Sequence, residues 1–168
     1  LRKDFPALEN YIWFQNGGVS MTPAPVAAEH ARLMQELLTR GPMHIVYPEE
    51  EYPRRKETMA RLAKFFSVSP DDLALMRGVS EAFQTVLRGM SWQAGDQLII
   101  TADEEAALLL PALHLRVRFG VEVVKVPLVD NYAGQIEAVT SLFTDRTRLV
   151  ALSHVTTDLG HRLPVVPI

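Results

Sequence analysis

Residues 76–82 combine a glycine and a hydroxyl side chain at the predicted start of a helix, a pattern that can bind phosphate. They read Met-Arg-Gly-Val-Ser-Glu-Ala. A helix N-terminus presents unpaired N–H groups and partial positive charge, and Gly78 would let a phosphate approach the backbone. Ser80 could cap the helix or donate its hydroxyl to a phosphate oxygen. An ordinary turn also favours glycine and serine, and the stretch is neither a Walker loop nor a Gly-x-Gly-x-x-Gly turn.

A second polar stretch, residues 153–161, follows a predicted strand and reads Ser-His-Val-Thr-Thr-Asp-Leu-Gly-His. Ligands of open α/β sheets lie beyond the carboxyl ends of the strands. These residues could therefore form a hydrogen-bonding rim for a ligand, and a plain polar loop with His154 paired to backbone fits equally well. Ser153, His154 and Asp158 are rejected as a catalytic triad, because adjacent positions of one strand point apart.

Two further polar groups have both a functional and a structural interpretation. Residues 16–20, Asn-Gly-Gly-Val-Ser, could form an anion-binding nest of backbone N–H groups or a plain turn. Residues 103–105, Asp-Glu-Glu, could hold a general base, although acids at a helix start need no such role. The five histidines show no metal-ligand spacing, so no metal site is predicted.

The elements that must position these residues are predicted from hydrophobic periodicity and from Gly and Pro punctuation. Thr22 is the predicted N-cap of a helix over residues 23–40, which Gly41 and Pro42 end. A second helix is predicted over 49–66. The expected inward side chains of these two helices are Leu33, Leu37, Leu38, Tyr52, Met59, Leu62, Ala63 and Phe66.

The pattern then changes to short apolar runs that alternate with helices. Strands are predicted at residues 73–76, 97–101, 121–126 and 147–152. Helices are predicted at 80–90, with Val86 among the inward side chains, at 104–119 and at 134–142. Pro111 should kink the helix over 104–119 or mark its true start. Apolar strands joined by helices are typical of an α/β fold with a mostly parallel sheet covered by helices.

The composition excludes several classes of protein. The 168 residues contain 17 Lys and Arg against 20 Asp and Glu, a net charge of −3, which argues against a nucleic-acid binder. The absence of cysteine excludes disulfides, cysteine zinc ligands and a thiol nucleophile. No apolar run approaches the roughly 20 residues of a membrane helix, so we expect a cytoplasmic protein without membrane contact. The start without Met and the apolar end suggest the first part of a longer protein.

Three motifs, taken in order, resemble the N-terminal part of the class V aminotransferase family. These pyridoxal 5'-phosphate (PLP) enzymes include cysteine desulfurases, selenocysteine lyases and isopenicillin N epimerase-like proteins. Residues 14–20 resemble the family's apolar-x-Asn-small-small-x-Ser opening. Residues 78–82 resemble its Gly-Ala-Thr-Glu phosphate turn. Residues 151–160, with Pro164 beyond, resemble its Ser/Thr-His-Val-Ser-Asn-x-x-Gly segment.

The resemblance implies an incomplete large domain of a PLP-dependent transferase of fold type I. Residues 1–45 would form an N-terminal segment and helix bordering the active site, and residues 46–168 would begin the PLP-binding domain. Asn16, Gly17 and Gly18 would border an amino-acid substrate. Thr157 would hydrogen-bond near the phenolic oxygen of the coenzyme ring. The implied coenzyme-binding residues are Gly78, Val79, Ser80, Glu105, His154 and Thr157.

The sequence departs from the family pattern at Glu105. The family's desulfurases have Glu-His at the position of Glu104-Glu105, and that histidine stacks on the coenzyme ring. A carboxylate cannot stack in this way, which disfavours desulfurase chemistry proper. The family's Schiff-base lysine and pyridine-pairing aspartate are expected beyond residue 168, because both follow the segment that matches residues 151–164. The chain's four lysines match no corresponding position: Lys3, Lys56, Lys64 and Lys125.

The resemblance implies a PLP-dependent enzyme that acts at the α-carbon of an amino acid. β-Elimination of a lyase or desulfurase type is expected first, with epimerisation and transamination as alternatives. It also implies a homodimer with PLP near the subunit interface, and no catalysis by residues 1–168 alone. The competing interpretation is a non-catalytic relative that keeps the fold for dimerisation or ligand binding.

Overall fold

The computed structural model describes residues 2–42 and 48–166, without the side chains of residues 48–51. The chain divides into two compact units, Leu1–Leu75 and Met76–Ile168, and each is described by itself. The predicted domain boundary between residues 45 and 46 lies outside the described residues and stays a prediction.

The first unit contains helices α1 (Ala24–Arg40) and α2 (Pro48–Phe66), with short 3-10 helices at Arg2–Asp4, Pro6–Glu9 and Pro70–Asp72. The prediction that Thr22 caps α1 is wrong, because Pro23 is the extended N-cap residue and Pro25 lies in the first turn. Proline lacks a backbone N–H, and none is needed at these positions, because the first N–H groups of a helix have no intrahelical acceptor. The predicted end at Arg40 is confirmed, and Gly41 follows with a φ of 74°.

The apolar stripes of α1 and α2 are only partly covered. Ala63 is buried and Leu33 and Leu37 are half-buried, whereas Leu38, Tyr52 and Phe66 are exposed. The prediction of an inward position is therefore wrong for these last three. Helical periodicity identifies the apolar face of a helix but not what packs over it, and little of the first unit's described chain packs over this face.

The second unit is an α/β layer built on a parallel sheet of three described strands. They are β1 (Gln97–Thr101), β2 (Glu122–Val126) and β3 (Thr147–Ala151), and the sheet order is β2-β1-β3. Ile99 at the centre of β1 lies opposite Val124 on one side and Val150 on the other. The helices are α3 (Val79–Gly89), α4 (Ala106–Phe119) and α5 (Tyr132–Thr140). The predicted parallel sheet and these elements are confirmed within about two residues of their predicted ends.

The predicted strand at residues 73–76 is wrong. This stretch is extended at Leu73 but pairs with no strand in the described part of the chain. An apolar run favours extended backbone, whereas a strand also needs a neighbour that accepts and donates its ladder hydrogen bonds. Leu75 and Met76 are accordingly exposed.

The core of the second unit lies on both faces of β1. Leu98 and Ile100 pack with Phe83 and Leu87 of α3 and with Leu108, Ala112 and Leu115 of α4. Ile99 packs on the opposite face with Val126 and with Val139 of α5. All five residues of β1 are buried, as expected of a strand covered on both faces.

Two predictions about the helices of this core need correction. Val86 of α3, expected inward, is half exposed at 49%, because it lies at the edge of the face that carries Phe83 and Leu87. Pro111 lies inside α4 rather than at its start, and the helix begins after Glu105. Within the described residues, no helix combines the length and apolar character needed to cross a membrane.

Replacing Ile99 with alanine should lower the free energy of unfolding by about 2–5 kcal/mol, because a fully buried side chain on the central strand leaves a cavity. Val117→Ala is the matched control, since Val117 is 87% exposed on α4 and should change stability by about 0.5 kcal/mol or less. Urea unfolding monitored by circular dichroism gives both values, and equal effects for the two variants would contradict the described core.

Candidate functional site

The start of α3 is an open corner of backbone and hydroxyl groups. Gly78 is the N-cap residue, with extended backbone and no side-chain cap. Ser80 is therefore the second helical residue, which rules out its hydroxyl as the cap. Within the described ranges 2–42 and 48–166 that hydroxyl has no hydrogen-bond partner, and Gly78, Val79 and Ser80 are all exposed.

The backbone of this corner can accept an anion. The first helical hydrogen bond of α3 runs from the Ala82 N–H to the Gly78 carbonyl, at 3.1 Å. The N–H groups of Val79, Ser80 and Glu81 precede it and have no acceptor inside the helix. A Cβ at Gly78 would meet nothing within 4 Å. The corner thus joins free N–H donors, a free hydroxyl and open space, which suits a phosphate group.

Arg77 and Glu81 hold the backbone just before the corner. The Arg77 N–H donates to Glu81 Oε2 at 2.7 Å, and its guanidinium donates to Oε1 at 2.9 and 3.2 Å. These bonds lower the pKa of the Glu81 carboxyl below its ordinary value, the side-chain bond contributing most. The Arg77 side chain is 91% exposed, and its charge offsets a carboxylate that would otherwise repel an anion at the helix start.

The three acids after β1 have different surroundings. Glu105 is the N-cap of α4 and accepts from the Ala106 N–H at 3.1 Å. Glu104 accepts from the Thr101 hydroxyl, from the Ser153 N–H at 2.9 Å and from the Ser153 hydroxyl at 2.8 Å. Asp103 Oδ2 is buried and has no partner in the part of the chain that the structure describes. The helix-start interpretation of this cluster therefore holds for Glu105, while Glu104 connects two strands' ends.

The stretch after β3 forms a closed turn. Val155 and Arg162 make an antiparallel bridge. The Thr156 N–H donates to the His161 carbonyl at 2.8 Å, and the His161 N–H donates to the Thr156 hydroxyl at 3.1 Å. Thr156 is 2% exposed, whereas His154 and Thr157 are exposed. The His154 carbonyl accepts from the Leu163 N–H at 2.8 Å, so it is the backbone of His154 that is tied down.

The second unit brings Glu104 and Glu105 to the segment that follows β3. Glu104 bonds directly to Ser153, so Glu105 and the turn that carries His154 and Thr157 lie at the same edge of the sheet. Ser80 lies at the start of α3, whose Phe83 and Leu87 share a core with α4. The coenzyme and substrate roles of these residues stay predictions.

Asn16, Gly17 and Gly18 lie in an exposed turn of the first unit. The Val19 N–H donates to the Gln15 carbonyl at 3.0 Å, and the Ser20 hydroxyl donates to the Asn16 carbonyl at 3.2 Å. The turn is thus closed by its own backbone, and its assignment to a substrate stays a prediction.

The sequence interpretation missed two sets of contacts. Glu81 is the third residue of α3, a position from which an acidic side chain often reaches back before the helix, so this contact had a local signal. Glu104 and Ser153 are 49 residues apart, and no local pattern indicates their contact.

Comparison with known proteins confirms the family resemblance of the sequence. A family model described as aminotransferase class V matches residues 12–168. A cysteine desulfurase of Cronobacter sakazakii is 29% identical over 183 residues, which cover 100% of this chain and 44% of the relative. A probable cysteine desulfurase of Methanothermobacter thermautotrophicus is 26% identical, over 95% of this chain and 40% of the relative. The chain therefore spans less than half the length of these curated relatives.

Solved structures show the same fold. The cystine C-S lyase C-DES, in complex with its reaction product cysteine persulfide, matches with a TM-score of 0.83 and 24% identity, over 98% of this chain and 44% of that chain. The cysteine desulfurase CsdA of Escherichia coli matches with a TM-score of 0.79 and 23% identity, over 99% and 43%.

Glu81→Gln should destabilise the protein at neutral pH and should have progressively less effect in acid. Because the folded pKa of Glu81 is lowered from 4.5, its contribution is present above pH 4.5 and is lost as the pH falls through the folded value. Thermal midpoints of the parent and variant between pH 7 and pH 3 measure this. A gap that widens in acid would contradict the described contact.

Proposed function

The chain belongs to the class V aminotransferase family, and from this premise we propose that it forms the phosphate-binding part of the coenzyme site of a PLP-dependent enzyme. Members of this family depend on PLP, and the residues at the start of α3 fit its phosphate. The observation that carries the proposal is the open corner at Gly78, Val79 and Ser80, with a hydroxyl that caps nothing and N–H groups that precede the first helical hydrogen bond.

Each of the chain's own residues has a distinct proposed task. The N–H groups at Val79 and Ser80 bind phosphate oxygens, and the Ser80 hydroxyl donates to one of them. Thr157, exposed on a turn that Thr156 closes, donates toward the phenolic oxygen of the coenzyme ring. His154 and Glu105 border the ring from the same edge of the sheet. Asn16, Gly17 and Gly18 border the amino-acid substrate.

The proposed reaction is β-elimination at a sulfur-containing amino acid such as cysteine. Among the relatives named above, the cystine C-S lyase supports elimination and the cysteine desulfurases support cleavage of a carbon–sulfur bond of an amino acid, and none of them supports the epimerase alternative. When bound, PLP supplies an electron sink for the charge that develops at the α-carbon. We further propose that the protein carrying this chain is a cytoplasmic homodimer, as the family resemblance implies.

Glu105 favours one second candidate, a relative that binds PLP or dimerises without catalysis. Its carboxylate accepts the Ala106 N–H at the position where the family's desulfurases place a stacking histidine. A carboxylate cannot stack on the coenzyme ring as a histidine does. This candidate therefore predicts PLP binding without turnover of cysteine or cystine.

Ser80→Ala should weaken PLP binding by the protein carrying this chain about 10- to 100-fold, because a hydrogen bond to a charged oxygen contributes about 1.5–3 kcal/mol. Ser80→Thr keeps the hydroxyl and should bind within a few-fold of the parent. Ser141→Ala, at the exposed end of α5, is the control. Equilibrium titration with PLP measures all four proteins, and unchanged affinity in Ser80→Ala would refute the phosphate assignment.

The lysine that holds PLP covalently should not be among Lys3, Lys56, Lys64 and Lys125, since the family's Schiff-base lysine is expected beyond residue 168 and none of these four matches its position. Each single Lys→Arg variant of the protein carrying this chain should therefore keep the visible absorbance of the bound coenzyme.

Borohydride reduction followed by peptide mass spectrometry locates the linked lysine independently. A labelled peptide that contains one of these four residues would contradict the proposal.

The 168-residue chain expressed alone should bind PLP without a covalent link and without turnover.

A further inference from the structure

We infer that Glu104 is a positioning residue for the coenzyme site, because its carboxylate holds the start of the turn that presents Thr157. The inference rests on the proposed function, since it assigns to Thr157 a contact with PLP. It concerns a side chain that lies beside the implied coenzyme residues without being one of them.

The Glu104 carboxylate continues the pairing of β1 and β3 beyond the point where their backbones stop pairing. The last paired residues are Ile100 on β1 and Ala151 on β3. Two residues later, the Ser153 N–H has left the ladder and donates to Glu104 Oε1 at 2.9 Å. A side-chain oxygen thus replaces the carbonyl that a longer β1 would have offered.

Glu104 is itself held by several donors. Its Oε1 also accepts from the hydroxyl of Thr101, a residue with no exposed surface at the end of β1. Its Oε2 accepts from the Ser153 hydroxyl at 2.8 Å. Hydrogen bonds from uncharged donors to a carboxylate are short and strong. The Glu104 side chain therefore fixes the backbone N–H and the hydroxyl of Ser153 relative to the buried strand β1.

The position of Ser153 is transmitted to Thr157 by the turn. Thr156 is 2% exposed and closes the turn with its N–H and hydroxyl, each bonded to His161. The Gly160 N–H also donates to the Thr156 carbonyl at 3.1 Å. The turn is thus held together by its own hydrogen bonds, and its entry point is the residue that Glu104 holds. Losing that hold would displace Thr157 without removing it.

A merely structural role of Glu104 makes a different prediction. It would lower the stability of the protein but leave the folded population with unchanged affinity for PLP. A positioning role lowers the affinity of protein that is still folded, and it loosens the turn even in the coenzyme-free protein. The two roles are therefore separable by measurements made well below the unfolding temperature.

The experiment compares four variants of the protein carrying this chain. Glu104→Ala removes all three acceptor contacts, and Ser153→Ala removes only the hydroxyl contact. Glu104→Gln keeps a carbonyl oxygen for the Ser153 N–H, and its amide can donate to the Ser153 hydroxyl, so it should rescue the parent behaviour. Glu137→Ala, an exposed glutamate of α5, is the control for loss of a surface charge.

Two readouts are taken from each variant. Amide hydrogen exchange of the coenzyme-free protein should show residues 153–157 exchanging about tenfold faster in Glu104→Ala. In the parent, local opening of the turn must break the hydrogen bonds to Glu104, and in this variant those bonds are missing. PLP affinity should fall about tenfold in the same variant. Glu104→Gln and Glu137→Ala should stay within about twofold of the parent in both readouts, and Ser153→Ala should lie between.

The outcomes separate this inference from the proposed function. A parent protein that does not bind PLP overturns the proposed function, and with it the role of Glu104 toward PLP. A parent that binds PLP, with folded Glu104→Ala showing the parent's affinity and exchange, overturns this inference alone. Should Glu104→Ala not fold, Ser153→Ala decides: faster exchange at 153–157 with weaker PLP binding supports the inference, and parent values in both overturn it.

Discussion

The complete burial of β1 is the constraint on which the second unit depends. All five of its residues are buried, with Leu98 and Ile100 facing α3 and α4 and Ile99 facing α5. A strand with apolar side chains on both faces must be covered on both faces, and it must be paired on both edges to satisfy its backbone. Both neighbours run parallel to it. The carboxyl ends of the three strands consequently meet at one edge.

The chemistry of the second unit follows from that edge. The chain leaves β1 through three acids and leaves β3 through a serine and a closed turn. Because β1 and β3 are neighbours, Glu104 can accept hydrogen bonds from the backbone N–H and from the hydroxyl of Ser153. The same parallel arrangement places the turn that carries the exposed Thr157 at the edge where Glu104 and Glu105 lie. Packing thus creates the site, and hydrogen bonds adjust it.

Electrostatics at the start of α3 favour an anion without a dedicated charged pocket. The helix start contributes partial positive charge, and Glu81, the acid nearest to it in the chain, pairs with the Arg77 guanidinium and accepts the Arg77 backbone N–H. The contact of Arg77 with Glu81 also fixes the backbone that precedes Gly78. An exposed ion pair contributes only modestly to stability.

The sequence was sufficient to predict the elements that follow local patterns. β1 is found at its predicted residues, and the other strands and helices of the second unit lie within about two residues of their predictions. Apart from the N-cap of α1, the errors come from information that is not local. Residues 73–76 lack a partner strand in the described chain. Leu38 of α1 and Phe66 of α2 belong to apolar stripes but are exposed. Glu104 bonds to a residue 49 positions away. Periodicity reports which face is apolar, but pairing and packing decide what that face contacts.

A crystal structure of the protein carrying this chain in complex with PLP tests the central claim most directly. The account predicts a phosphate oxygen about 3 Å from Ser80 Oγ and from the backbone nitrogens of Val79 and Ser80. A coenzyme phosphate bound elsewhere, with the Ser80 hydroxyl turned to a protein acceptor, would contradict it.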